Sequence, residues 1–224
     1  YLNKNDAFFQ DSTFWNNTLP TSSVITLGSH TKVNGGSGDD YVAIFAGGGS
    51  TAATARSVNF DGTGDKLSIA SHTDLQIGSS TYTMEFWVYK NADSPDDYDC
   101  WAAKGSNGNN TREFAIESMS DQTIDWYYST NGTNWSVVEN VSAGAIPTGE
   151  WVHICLQKDS NGKFSFFVNG SRTYFSSTGG ATLYTGADSF CIAGFADAST
   201  AFESNVKISN FRFIKGTALY SSSF

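Results

Sequence analysis

Carboxylates offer the first candidate chemistry in the chain. Glu113 and Glu117 stand four apart in REFAIES, so an extended segment would put both on one face. Strand rise then separates them by about 13 Å. A retaining glycosidase needs its two carboxyl groups only about 5 Å apart, and an inverting one about 6.5–9.5 Å. The Glu-x-Asp-x-x-Glu spacing that would serve is absent, and the neighbours Ala115 and Ile116 mark no polar cleft. No Gly-x-Ser-x-Gly elbow, phosphate loop or His-x-x-x-His pair occurs either. The residues read as a non-enzymatic protein.

Oxygen donors are densest in the loop Asp93-Ser-Pro-Asp96-Asp97-Tyr98-Asp99, where a hard cation such as Ca²⁺ finds its ligand type. A solvated acidic loop is the other reading of the same residues. Cys100, Cys155 and Cys191 include no CxxC pair, which argues against zinc and against a disulfide framework. Cys155 and Cys191 sit in apolar runs and are expected to be small buried hydrophobes, with one disulfide plus a spare thiol as the alternative.

Carbohydrate needs an aromatic platform for the apolar face of a sugar, with amides and carboxylates around it for the hydroxyls. WYYSTNGTNW (Trp126 to Trp135) places aromatics on both sides of an Asn131-Gly132 turn. Tyr128, Asn131 and Trp135 are candidate carbohydrate contacts there, and Tyr98 with Trp101 beside the acidic loop form a second candidate patch. The competing reading folds Trp135 over its own turn and puts Trp126 in the core. The hairpin is similar to an Asp-box turn but occurs once, whereas a propeller would repeat it in every blade.

Composition limits what can hold these residues in place. Charged residues are only 16% of 224 and aromatics 15%, with 22 Gly against 3 Pro, which suits an all-β chain better than a helical bundle or disorder. A formal charge of −9 leaves no basic footprint for nucleic acid or anionic membrane. No apolar run approaches the ~18 residues of a membrane span. The opening YLNKND has no signal-peptide pattern, which reads as a processed product or a part of something longer.

Period-2 segments bounded by Gly, Asn and Asp recur from about residue 57 onward. Thr81 to Tyr89 puts Tyr82, Met84, Phe86 and Val88 on one face and Thr83, Glu85, Trp87 and Tyr89 on the other. Bulky residues on both faces are expected to place this strand in the interior of a two-layer sandwich. Trp151 to Lys158, Lys163 to Val168 and Ser171 to Phe175 form a meander joined by Asn161-Gly162 and Asn169-Gly170, the strongest short hairpin signal. Further strands are expected over Glu113 to Ser118, Thr123 to Ser129, Phe190 to Phe195 and Asn205 to Ile214. Residues 1–56, rich in Gly, Ser and Thr, read as an extension that adds a strand or two or docks on a neighbour. Six N-x-S/T sequons, at Asn16, Asn109, Asn131, Asn134, Asn140 and Asn169, are what chance supplies in such a composition.

SVNFDGTGDKLSIA, TYTMEFWVY, WVHICLQKDSNGKFSFFVNG and NVKISNFRFIKGTALYSSSF, in that order, resemble laminin-G-like members of the concanavalin A-like lectin/glucanase superfamily over residues 57–224. The closing ISNFRFIKGTALY is especially similar to copies in virion and tail-associated proteins of marine bacteriophages. The resemblance implies a two-sheet antiparallel jelly-roll sandwich in which His153 packs inside. It also implies calcium at a loop rim, with Asp97 and Asp99 as candidate ligands and Asp197 as their partner. Asp61 and Asp65 are expected to cap the turn that Gly62 and Gly64 form. The function implied is a non-enzymatic module at the virion surface, outside the cell, binding host-surface glycans in many copies. The alternative is a structural virion part, held by its arm to other virion proteins or copies of itself.

Overall fold

The computed structural model describes residues 56–93, 98–108, 111–197 and 202–224, and the backbone of 43–44. The expected N-terminal extension otherwise lies outside the described residues. Among the described residues thirteen strands follow in order: β1 (Ala43–Ile44), β2 (Val58–Asp61), β3 (Leu67–Ile69), β4 (Tyr82–Lys90), β5 (Asp99–Lys104), β6 (Phe114–Ser118) and β7 (Ile124–Tyr128). After them come β8 (Ser136–Val138), β9 (Trp151–Lys158), β10 (Phe164–Val168), β11 (Ser171–Phe175), β12 (Phe190–Ile192) and β13 (Asn205–Lys215). They build two antiparallel sheets. One runs β1-β13-β4-β9-β10-β11, with β2 also pairing β13; the other runs β3-β12-β5-β6-β7-β8. The all-β sandwich expected from the alternation is the fold, with a short 3₁₀ turn at Thr73–Leu75.

The core lies between the sheets. Tyr82, Met84, Phe86 and Val88 of β4 meet Trp101, Phe114, Ile116, Trp126 and Phe190 of the facing sheet, all nearly or wholly buried. Phe86 takes Trp101 edge-on at 6.4 Å and stacks on Phe211 at 5.3 Å. Removing a large ring from such a site costs about 3–5 kcal/mol. The opposite face of β4 is not interior, contrary to the sequence expectation. Trp87 is 39% exposed, and Glu85 and Thr83 are covered instead by the chain end running over the sheet from outside.

Turn chemistry follows the sequence closely. Asn169 (φ 49°) and Gly170 (φ 77°) both take the left-handed conformation that a tight two-residue hairpin demands. At Asn161-Gly162 only the glycine does, because Asp159 Oδ1 accepts from the N–H groups of Asn161 and Lys163 and braces a longer turn. Asp61 Oδ1 accepts from the Thr63 N–H at 2.9 Å, and Gly62 and Gly64 lie at φ 85° and 76°, as expected of that turn. Cys100, Cys155 and Cys191 are free and buried.

Four strands end on lysine, and each ammonium secures a loop. Lys90 of β4 reaches Ile146 O at 3.2 Å, and Lys104 of β5 reaches Asp188 O at 2.9 Å and Gly186 O at 3.2 Å. Lys158 of β9 reaches Gly78 O at 2.7 Å and Ala181 O at 3.0 Å, and Lys215 of β13 reaches Thr73 O at 2.8 Å. Lys90, Lys104 and Lys158 are buried, so the carbonyls supply hydrogen bonds that water would otherwise give. Burial pushes Lys158 down to about 8. Lys104 alone among the three has a fully buried counter-charge, Glu113 Oε1 at 2.7 Å.

Candidate functional site

The outer face of the six-stranded sheet gathers part of the candidate aromatic set. Cys100, Ala103 and Ala115 floor it, and Phe195 and Phe202, on the segment after β12, close over them. Trp135 lies 6.4 Å from Phe195 and 6.0 Å from Tyr127, with its indole N–H donating to Asn107 Oδ1 at 3.1 Å. The Arg112 guanidinium stands 5.7 Å from the Trp135 ring. Tyr98, 41% exposed and held at φ 98°, rests against Phe202 at 5.8 Å. The row Trp135–Phe195–Phe202–Tyr98 thus joins two of the sequence candidates through two residues the sequence reading did not single out.

The other candidates fall elsewhere. Trp101 is wholly buried in the core, because β5 turns it inward against Phe86, so its ring meets no ligand. Tyr128 packs on Phe164 at 5.1 Å as a partner of the core. Asn131 Oδ1 accepts from the N–H groups of Thr133 and Asn134, both at 2.9 Å, and so braces its own hairpin.

The acidic candidates lie apart in the described residues. Asp97 lies outside the described residues. Asp99 is buried at the start of β5, where its charge acts on Lys90. Asp197 Oδ2 accepts from the Gly108 N–H at 2.9 Å, while the Lys66 ammonium occupies the carbonyls of Phe195 and Asp197. Among the described residues no group of three or more His, Cys, Asp or Glu is placed to hold a metal ion.

Glu113 and Glu117 do not work as a pair. Glu113 is bound to Lys104 and to the Gly186 N–H inside the sandwich. Glu117 instead stands across from Asp125 in the β6–β7 register, 3% and 5% exposed respectively. Burial first, and then Asp125, pushes the Glu117 carboxyl up to about 8. Burial raises Asp125 as well, against the Asn140 N–H that donates to it at 2.8 Å. Two carboxyls sealed in this way flank no groove that a glycosidic bond could enter.

The outer face of the seven-stranded sheet carries a second aromatic surface that the sequence reading missed. In the register of β4 with β9, Trp87 stands opposite His153 and Tyr89 opposite Trp151. The ring pairs lie 5.3 Å and 5.6 Å apart. Trp87 and Trp151 are 39% and 40% exposed. Lys207 of β13 pairs with Tyr89 in register and holds its ammonium 4.5 Å above that ring. Beside them, Glu85 is engaged by Arg212, by the Tyr220 hydroxyl at 2.8 Å and by His153 Nε2 at 3.7 Å. His153 lies on this outer face rather than inside, and burial, ahead of the Glu85 charge, holds its imidazole below the usual range. It is therefore neutral at pH 7.

Residues 217–224 run over the β4–β9–β10 part of that face. Thr83 Oγ1 donates to Thr217 O, the Leu219 N–H donates to Thr83 Oγ1, and the Tyr220 N–H donates to Gln157 Oε1. The Phe224 N–H donates to Gly170 O at 2.9 Å. Tyr220 and Phe224 stack 3.6 Å apart above Phe167, which is wholly buried beneath them. Phe224 also meets His153 at 5.9 Å, at the border of the Trp87–Trp151 platform. A sequence signal for the platform existed: once the Tyr82–Val88 face is core, Trp87 and Tyr89 must face outward.

A family model described as the concanavalin A-like lectin/glucanases superfamily, of laminin-G type, matches residues 61–218. Comparison with curated protein sequences gives no match. Among solved structures, the binding domain of Paraclostridial Mosquitocidal Protein 1 is similar with a TM-score of 0.57 and 11% identity, covering 82% of this chain and 46% of that one. The ligand-binding domain of botulinum neurotoxin serotype D in complex with N-acetylneuraminic acid gives 0.56 and 11%, covering 81% and 44%. Trypanosoma rangeli sialidase in complex with 2,3-difluorosialic acid gives 0.52 and 16%, covering 75% and 26%. The chain spans less than half the length of each, and at such identities the likeness is one of fold.

Proposed function

This chain belongs to the concanavalin A-like lectin/glucanases superfamily, and from that premise we propose that it is a non-enzymatic carbohydrate-binding module. The observation that carries this reading is the exposure of Trp87 and Trp151 on adjacent strands, backed by Tyr89 and His153. Folding leaves exposed two large rings that a core would have buried, and a flat indole face suits the apolar face of a pyranose. Tyr98 and Trp135, on the other sheet, form a subsidiary aromatic surface within the same proposal. A toxin binding domain of the same fold is known in complex with N-acetylneuraminic acid, which supports the ligand class.

Adhesion of a virion surface to host glycans is the setting we propose, on the similarity of ISNFRFIKGTALY to virion-associated domains. Single weak contacts would be multiplied by copy number. No helix of the described residues is long and apolar enough to cross a membrane. Calcium at the Asp97–Asp99 loop, with Asp197, stays within the proposal as the cofactor that the resemblance implies.

The test is a glycan array probed with the chain displayed multivalently. Binding to a defined set of sugars supports the proposal. Silence from a folded, multivalent sample overturns it and turns attention to a structural role.

A further inference from the structure

On the outer face of the seven-stranded sheet one row runs in register across four strands: Asn59 of β2, Lys207 of β13, Tyr89 of β4 and Trp151 of β9. Trp87 and His153 form the next row beside it. We propose that this platform takes a glycan bearing a carboxylate, stacked on Trp87 and Trp151 and selected by the Lys207 ammonium. The proposal rests on the carbohydrate reading above and adds to it the charge of the ligand.

The charges on this face lead to that choice. Glu85, the carboxylate beside the aromatic rows, is already engaged by Arg212 and the Tyr220 hydroxyl. His153 is neutral at pH 7 and contributes no charge. Lys207, by contrast, pairs with no carboxylate among the described residues, and its ammonium lies over the Tyr89 ring. A cation held on an aromatic face is fixed in position yet retains N–H groups for an incoming acceptor. A carboxylate is the acceptor that gains most from it, because charge-assisted hydrogen bonds are roughly twice as strong as neutral ones. The formal charge of −9 opposes anions at long range. Screening confines that opposition to about 8 Å at physiological salt, so contact with Lys207 decides.

The four basic groups at strand ends cannot substitute. Lys90, Lys104, Lys158 and Lys215 are all bound to loop carbonyls. Lys163 and Arg172 stand over the separate Phe175 ring at 5.1 Å and 4.9 Å, so Lys207 is the lysine seated on the rings of the Trp87–Trp151 platform.

A matched pair of probes tests this: a uronic-acid-containing oligosaccharide and its carboxyl-reduced counterpart, titrated against the whole chain, Lys207→Met, and the double variant Trp87→Ala/Trp151→Ala. The native chain is expected to favour the acid form about tenfold at 50 mM salt, a difference of about 1.4 kcal/mol. That preference should vanish in Lys207→Met and fall steeply at 0.5 M salt, while melting temperatures stay unchanged. Equal affinity for both forms in the native chain overturns the proposal, as does a preference that survives Lys207→Met. Acid-form binding that persists in the double tryptophan variant also overturns it, but leaves the carbohydrate reading standing. If no glycan of any charge binds the native chain, the carbohydrate reading itself fails, and this inference with it.

Discussion

Glu117 on β6 stands directly opposite Asp125 on β7, two buried carboxyls facing each other across one rung of the ladder with no ion pair to a cation among the described residues. Cross-strand like charges repel at this separation, and burial removes the water that would screen them. The rung therefore closes well only when a proton is retained.

The sign of the resulting pH dependence is fixed. Glu117 is raised from an ordinary 4.5 to about 8, so the unfolded chain ionises first. Its penalty is absent below about 4.5 and builds as pH climbs to 8, with a slope approaching about 1.4 kcal/mol per unit. Denaturant titrations at pH 5 and pH 9 should show lower stability at pH 9. Glu117→Gln should flatten that difference, and an unchanged difference would refute the assignment.

Trp87→Ala and Trp151→Ala should each abolish or weaken glycan binding at least tenfold while costing under about 1 kcal/mol in stability. Trp101→Ala, on the wholly buried indole, should cost about 3–5 kcal/mol. Paired affinity and melting measurements on the three variants separate ligand contact from core.

Lys104→Met removes the ammonium from Glu113 and leaves a buried carboxylate unpaired. A loss of about 3–5 kcal/mol is expected. The double variant Lys104→Met/Glu113→Gln should recover much of it, and a double-mutant cycle gives the coupling directly.

Truncation after Gly216 uncovers Phe167 and the Cys155 side of the seven-stranded sheet. In the full chain Cys155 is buried, and burial pushes its thiol well above the usual range, so a thiol reagent should leave it unmodified in the native state. In the truncated chain, provided circular dichroism shows it folded, Cys155 should react. Peptide mapping after labelling decides.

β4, β6, β7, β9 to β11, β12 and β13 were legible because alternation and Asn-Gly turns are local signals, and Asn169-Gly170 behaves as those residues dictate. β5 was not legible. Trp101 follows an acidic loop, and nothing near it in the chain says that Phe86, fifteen residues earlier, supplies its neighbour. The outer face of β4 was misread for a related reason. Bulk on both faces suggests two packed layers, but Glu85 and Thr83 are covered by residues 217–224, a pairing across more than 130 positions that no window of sequence contains. Residues 217–224 do not lie over Trp87, which stays 39% exposed. The acidic candidates show the opposite limit: the resemblance marked Asp99 and Asp197, while the structure sets Asp99 near Lys90 and gives Asp197 Oδ2 the Gly108 N–H, 89 positions away, which no local signal contains.

The lysine at the end of each of four strands also bears on how such a domain diversifies. Loops at 73, 78, 146, 181 and 186 each present a carbonyl to an ammonium fixed by the sheet. A replacement loop can therefore be accepted if its backbone returns one oxygen to that point and it keeps the buried Ile146 and the left-handed Gly78, since the carbonyl itself carries no side-chain identity. Libraries built on this scaffold should tolerate wide sequence change in these loops and little change in their path, with the strand-final lysines acting as a gauge of loop shape.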